Sequence, residues 1–333
     1  MDAFYELLDG FTGFLFDWNS RLALLYLCLT VALVYVIWRV RGRPTSFTAF
    51  LLPRDVYTHK SNLVDIQIFL FNKLLTVSGF FAAVTLTPVV TSGLLTMMLD
   101  ATGGDLAPAV GEGEWGKLAL ATLIMILTLD FCKYWAHRLH HENALLWPFH
   151  ALHHSAEVLT PLTANRNHPV FVVIRLLIYA LIIGAVQALM LFLLMGKIDV
   201  LTIGSVNAGY FLFNAFGANL RHSHVWLSYG CVMEHILISP AQHQVHHSND
   251  PKHYNKNYGE VFAFWDLMFG SLYVPKEHEI LSFGLSDENG VSIEQPHPTL
   301  RAALLHPFAE AWQTLTKGTT DDPASPQNRE TAQ

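Results

Sequence analysis

Charged residues in this chain fall in clusters, and the gaps between the clusters are long enough to be helices in a bilayer. Leu22 to Trp38 is a 17-residue run without a charge, bracketed by Arg21 and Arg39 and near the lower length limit for a spanning helix. Leu74 to Leu99 gives 26 uncharged residues, enough to span with tilt. A third apolar helix begins at Leu118, passes Leu129 and runs on into the polar Asp130 and Lys133. Leu176 to Met195 supplies 20 more uncharged residues. Val200 to Leu220 is milder, interrupted by Asn207, Asn214 and Asn219, and reads as a fifth span or a half-membrane helix. The pattern predicts an all-α, polytopic membrane helical bundle of about four to five spans. Residues 221–316 are too mixed for another span and predict a histidine-rich cap with interfacial helices. The tail from about Lys317 is polar and Pro-rich and is expected to be disordered.

The flanking charges predict an orientation. Arg39, Arg41, Arg43, Arg54 and Lys60 follow the first run, with only Asp55 and Asp65 as acids before Lys73. The stretch 100–117 carries Asp100, Asp105, Glu112 and Glu114 against one Lys. The positive-inside rule then puts the basic segment in the cytoplasm and the acidic N-terminus and 100–117 loop outside. Counting crossings from there brings every histidine cluster to the cytoplasmic face. The N-terminus lacks the basic region of a signal peptide, so insertion rests on the internal runs.

Composition narrows the class. The chain is 52% hydrophobic and 14% charged, against about 25% charged in ordinary globular domains. A net charge of −7, with no basic stripe interleaved with aromatics, speaks against a nucleic-acid partner. Cys28, Cys132 and Cys231 are far apart and offer neither a disulfide framework nor a C-x-x-C metal site. Gly111-Glu-Gly113-Glu-Trp-Gly116 matches G-x-G-x-x-G in form only, because its glutamates would repel a pyrophosphate. H-E-x-x-H is absent, so a zincin protease is unsupported.

Histidine carries the chemistry. Of 18 histidines, seven lie between Asp130 and Pro169: His137, His140, His141, His150, His153, His154 and His168. They include His137-x-x-x-His141 and His150-x-x-His153-His154, and a second H-x-x-H-H stands at His243, His246 and His247. At this histidine frequency one such box is expected about 0.05 times by chance. Residues three and four apart share a helix face, so each box can aim imidazoles at one point, and imidazole suits iron, zinc, copper and nickel. His140 points about 100 degrees away from His141, toward a supporting or solvent-facing position. His59, His278, His297 and His306 are expected at the surface, while His168, His222 and His224 are left open. Eight box histidines exceed what one first-row ion accepts, so two metals are the economical reading. Asp130, Glu157, Glu234 and Asp250 are candidates to orient imidazoles through the second ring nitrogen. Imidazole takes a proton near pH 6.5, which predicts metal loss in acid below about that value.

The order D-F-C-K-Y-W-A-H-R-L-H-H, then L-W-P-F-H-A-L-H-H-S, then S-P-A-Q-H-Q-V-H-H resembles the fatty acid hydroxylase/sterol desaturase superfamily. Asn257-Tyr258-Gly259 and Trp265 to Gly270 are similar to that family's closing segment, and the resemblance covers roughly 118–275. It implies a membrane-bound di-iron oxidoreductase that uses O2 and two electrons to hydroxylate or desaturate a lipid, whether a sterol, a fatty acyl chain or an aminolipid. It supports His137, His141, His150, His153, His154, His243, His246 and His247 as iron ligands and catalytic residues. It adds His222, which precedes the last box at about the family's interval, whereas His224 departs from the residue usual there. No His-Pro-Gly-Gly is present, which implies a separate electron donor of cytochrome b5, ferredoxin or reductase type. The expected organisation is N-terminal transmembrane helices in 1–117, a catalytic domain in 118–275 and a C-terminal cytosolic extension in 276–333. The alternatives are oxidative cleavage of an alkyl ether lipid and, from another class, a membrane metal-binding or transport protein. Transporters place ionisable groups at the bilayer midplane, whereas these histidines follow the ends of the spans.

Overall fold

The computed structural model describes residues 10–17, 20–106, 114–195, 200–287 and 289–317. Among them the chain is helical, with only isolated β-bridges outside the helices. The main helices are α1 (Leu24–Val40), α2 (Ser61–Val77), α3 (Thr87–Thr102), α4 (Trp115–Glu142), α5 (Trp147–His154), α6 (Pro169–Met190), α7 (Val200–Ala215), α8 (Pro240–His246) and α9 (Leu300–Lys317). The predicted disordered tail beyond Lys317 and the first half of the glycine-rich motif, 111–113, lie outside the described residues.

The spans differ in detail from the hydropathy reading. The run 74–99 is not one helix: α2 stops at Val77, Gly79 takes a left-handed φ of 79°, and Pro88 sits in the first turn of α3. A side chain with a Cβ is strained at that φ, and proline suits a first helical turn because its missing N–H has no intrahelical partner there. The apolar stretch therefore shifts to Phe80–Thr102, 23 residues. With Trp115–Glu142 and Pro169–Leu194 it makes three helices long and apolar enough to cross a bilayer among the described residues. The first predicted span, α1, is 17 residues, and both of its ends meet the cap. Arg21 pairs with Glu260 at 3.3 Å, and Arg41 Nη2 donates to the Trp226 carbonyl at 2.6 Å. After α6 the chain has to return for His222 to join the other boxes. Helix α7, 16 residues and packed on α4, makes that return.

Helix α6 packs against both α3 and α4, and α4 is the axis. At 1.5 Å per residue its 28 residues extend about 42 Å, so Trp115 and the histidines at its far end lie at opposite ends of the bundle. The Arg41–Trp226 bond and a His224 Nε2 bond to the Phe50 carbonyl at 2.7 Å put the basic segment at the histidine end.

Buried polar ties fix that end. Arg166, fully buried, pairs with the equally buried Asp65 at 3.0 Å. It also donates to the Leu152 carbonyl at 2.8 Å and to Ser155 Oγ at 2.9 Å. A buried ion pair holds together only when its remaining donors are satisfied, and here they stitch α2 to the end of α5. Helix α9 closes the other side, where Leu300, Ala303 and Leu304 pack on Val64, Ile68 and Leu152. That packing overturns one surface expectation: His297 is fully buried beneath α9, whereas His278 is exposed.

Candidate metal centre

Three helices and one 3-10 turn aim nine imidazoles inward. Helix α4 continues past its apolar length because Asp130, four turns in, is satisfied off the helix. Its carboxylate accepts the Val261 and Phe262 N–H groups, each at 3.0 Å, and Trp265 Nε1 at 3.2 Å. That clamp brings the 258–262 strand of chain against the turn carrying His137 and His141. Helix α8 starts on a capping box with Pro240 in its first turn. Gln242 N–H donates to Ser239 Oγ at 3.1 Å, and Ser239 N–H donates to Gln242 Oε1 at 3.0 Å. Reciprocal caps of this kind satisfy two orphan donors and fix where His243, His246 and His247 point.

The imidazoles separate into two groups, each with ring nitrogens within 4.8 Å of one another: His137, His141, His150, His154 and His246, and His153, His222, His243 and His247. Helix periodicity explains the partition. The pairs 137/141, 150/154 and 243/247 are four residues apart and stay together on one face. The middle histidine of each H-x-x-H-H box, His153 or His246, crosses to the other group, so α5 and α8 each serve both.

In the four-histidine group the Nε2 atoms of His153 and His222 are 3.3 Å apart. Those of His222 and His243, and of His243 and His247, are 3.2 Å apart. A ring Nε2 offers one in-plane donor or acceptor, so His222 and His243 cannot each satisfy two neighbours. Convergent lone pairs at this spacing fit a cation, because a tetrahedron with about 2.0 Å metal–nitrogen bonds has edges of about 3.3 Å. In the five-histidine group His137 Nδ1 lies 2.8 Å from the Tyr258 carbonyl, and His246 Nδ1 lies 2.7 Å from the Lys256 carbonyl. A carbonyl only accepts, so each Nδ1 carries the proton and each Nε2 presents its lone pair inward. Those Nε2 atoms, and both ring nitrogens of His150, are buried without a protein partner, as metal-ready nitrogens are.

Burial also decides protonation. It holds His150, His154, His222, His243, His246 and His247 well below the usual imidazole value and pushes His153 down to about 3. The neighbouring imidazoles add to the effect, and neutral imidazole is the ligand form. The expected acid loss near pH 6.5 therefore moves to lower pH.

The acids do not play the part expected of them. Asp130 holds the 261–265 segment, Glu234 accepts from Ser239 Oγ at 2.6 Å, and Asp250 accepts from the Lys252 N–H at 3.1 Å. Backbone carbonyls orient His137 and His246 instead. Three open histidines are also resolved. His222 joins the four-histidine group. His168 caps α6, accepting from the Val170 N–H at 3.1 Å, and His224 bonds Phe50. His140 is buried against Phe171, its Nδ1 on the Ala136 carbonyl at 2.6 Å, and belongs to neither group. Tyr258 went unread as part of the site, although its ring lies 5.2 Å from that of His141 and 5.8 Å from that of His137. Its place within the Asn257-Tyr258-Gly259 motif was the signal.

Residues 122–271 match the family described as fatty acid hydroxylase, a stretch that contains all nine imidazoles. The match is thus to the fatty acid hydroxylase/sterol desaturase superfamily, over just under half of the chain. Among curated proteins it is 31% identical over 174 residues to an ornithine lipid hydroxylase from Rhizobium tropici, covering 52% of this chain and 47% of that one. It is 29% identical over 167 residues to alkylglycerol monooxygenase from Danio rerio, covering 50% and 33%. It is 27% identical over 235 residues to a Delta(7)-sterol 5(6)-desaturase from Gibberella zeae, covering 66% and 64%. The chain thus spans about half or less of the first two relatives. No solved structure matches it.

Proposed function

We propose that this chain is a membrane-bound lipid hydroxylase or desaturase in which the two histidine groups hold two iron ions. The observation that carries the reading is the convergence of nine imidazoles, eight buried and His137 half-buried, into two groups at the end of apolar, membrane-length helices. His137, His141, His150, His154 and His246 would hold one ion, and His153, His222, His243 and His247 the other. Two bound irons would supply the redox capacity for O2 to oxidise a C–H bond. The reaction consumes O2, two electrons and two protons, and yields an alcohol plus water, or an alkene plus two waters. The protein's own part is to keep the imidazoles neutral by burial. It fixes two rings through carbonyls 256 and 258, excludes water with apolar helices and admits a lipid laterally. The electrons come from a separate donor of cytochrome b5, ferredoxin or reductase type.

The catalytic unit is taken as 118–275, set between N-terminal helices and a C-terminal extension. The basic segment at the histidine end supports a cytoplasmic site. Alkyl ether cleavage is the second reading, favoured by the similarity to an alkylglycerol monooxygenase, and starts from the same hydroxylation. A transport role is disfavoured because the imidazoles are closed in at the ends of the spans.

Lipid mass spectrometry of cells with and without the gene tests the reading, with labelled oxygen gas supplied. One labelled oxygen atom in a lipid alcohol, or loss of two hydrogens from a lipid, is expected. An alcohol whose oxygen comes wholly from water, or an unchanged lipid profile in cells that express the protein with its donor, would overturn it.

A further inference from the structure

One cavity of about 580 Å³ lies apart from the histidines, within the 300–1,000 Å³ range typical of small-molecule sites. Its walls are apolar, and Ile126, Tyr210, Phe213, Phe216, Val261 and Phe262 are among them. Charges stand directly behind two of these rings. Lys133 Nζ is 4.3 Å from the Tyr210 ring centroid, and the Arg221 guanidinium carbon is 4.7 Å from that of Phe213. Lys133 and Arg21 share one oxygen of Glu260, at 3.0 and 3.3 Å, and all three side chains remain 21–30% accessible.

Arg221 differs: it is 1% exposed, and its one hydrogen bond among the described residues is a 3.3 Å contact to the Ile238 carbonyl. A guanidinium has five N–H donors, and burying a charge without a counter-ion is costly unless something else pairs with it. The Tyr210 hydroxyl is buried without a partner as well. Arg21, Lys133 and Arg221 outnumber Glu260 and Asp130 by one charge, and Asp130 is already capped by three N–H groups. A local excess of positive charge favours an anion.

The position of these charges matters. Along α4, Ile126 in the cavity wall precedes Lys133 by about 10 Å, and Lys133 precedes His137 by about 6 Å. Arg221 directly precedes His222. The belt therefore lies between the apolar cavity and the imidazoles.

We propose that Arg221 and Lys133, with Arg21 and Glu260 beside them, receive the anionic head of an amphipathic lipid, a carboxylate or a phosphate, whose apolar chain fills the cavity. The carbons next to the head then face the four-histidine group, and oxidation falls near the head rather than at the far end of the chain. The placement of oxidation rests on the oxygenase reading; the binding does not.

The test is equilibrium binding to the purified full chain in detergent, without reductant. The probes are oleate, oleoyl lysophosphatidate, oleyl alcohol and oleylamine. One or both anions should bind at least about tenfold tighter than the alcohol or the amine. Lys133→Gln and Arg221→Gln should each reduce that preference about fivefold or more, with alcohol binding nearly unchanged, and Arg221→Lys should restore part of it. Tighter lysophosphatidate assigns a phosphate head, and tighter oleate a carboxylate. Alcohol or amine binding as tight as the anions would overturn the proposal, as would an anion preference untouched by Lys133→Gln. Lys133 is part-exposed, so its variant decides the matter if Arg221→Gln does not fold. No turnover is needed, so a failure of the oxygenase reading leaves this result standing.

Discussion

In the five-histidine group His137 and His246 each use Nδ1 on a backbone carbonyl, whereas His222 and His243 in the four-histidine group leave Nδ1 without a partner. The carbonyls that hold the first pair belong to a segment that is itself pinned. Asp266 accepts the Tyr258 and Gly259 N–H groups, each at 2.8 Å, and the Ser271 hydroxyl at 2.6 Å. The second pair is positioned by its backbone instead. Gln244 Nε2 donates to the Leu220 and Val225 carbonyls at 2.7 and 3.0 Å, holding the turn that presents His222. Two rings of the first group are thus oriented by the protein itself. The other group is brought together by its chain, and an ion there would give its clustered Nε2 lone pairs a partner to share. Outer hydrogen bonds to ligand histidines commonly alter metal affinity by about 10–100-fold, so the two groups should respond differently to the same insult.

The largest effect should come from the ligands. His246→Ala and His243→Ala should each lower lipid oxidation at least about 100-fold, with metal analysis showing loss at the altered group. Full iron content and activity in the His243 variant would remove the four-histidine group from the site.

Metal removal should separate the groups next. After chelation, hydrogen exchange should rise in 218–225 and 240–247 by about tenfold or more, and less in 137–142. The reverse order would break the contrast between a pre-oriented and a metal-completed group.

Asp266→Ala leaves two buried N–H groups and a hydroxyl without an acceptor, and should cost about 2–4 kcal/mol in denaturant unfolding. It should loosen metal in the five-histidine group first. Gln244→Ala should cost about 1–2 kcal/mol and loosen the four-histidine group first. Equal metal loss from both groups in both variants would mean that the two respond as a single unit.

The smallest effect concerns pH. Because burial lowers the folded-state values of the imidazoles, the metal-free folded protein binds fewer protons than the unfolded chain below about pH 6.5. Stability is then full above that pH and falls as pH drops toward the folded values, near 3 for His153. Unfolding midpoints of the apoprotein should be flat from pH 8 to about 7 and decline below about 6.5. A decline that begins above pH 7 would contradict the buried, neutral state of the rings.

Much of this was legible in residue spacing, since a four-residue interval means a shared helix face. The pairs 137/141, 150/154 and 243/247 were local facts, and so was the Ser239-Pro-Ala-Gln242 start of α8. The apolar stretches of α4 and α6 were legible because a bilayer demands length and lack of charge. The run 74–99 misled because hydropathy is blind to backbone conformation. Gly79 and Pro88 end one helix and start another inside an uninterrupted apolar run.

What the sequence determined by itself was the inventory of histidine boxes and their local geometry, since both depend on neighbours a few residues apart. The tertiary structure alone decided which imidazoles group together, because His153 and His246 cross between groups only once α5 and α8 face each other. It alone set Asp130 on backbone N–H groups rather than an imidazole, and Arg166 on Asp65 across 101 residues. It also buried His297 under α9. A polar side chain takes whichever partner the packing brings within hydrogen-bond distance, and burial makes leaving it unpaired costly. That partner comes from another part of the chain, where no local pattern reaches.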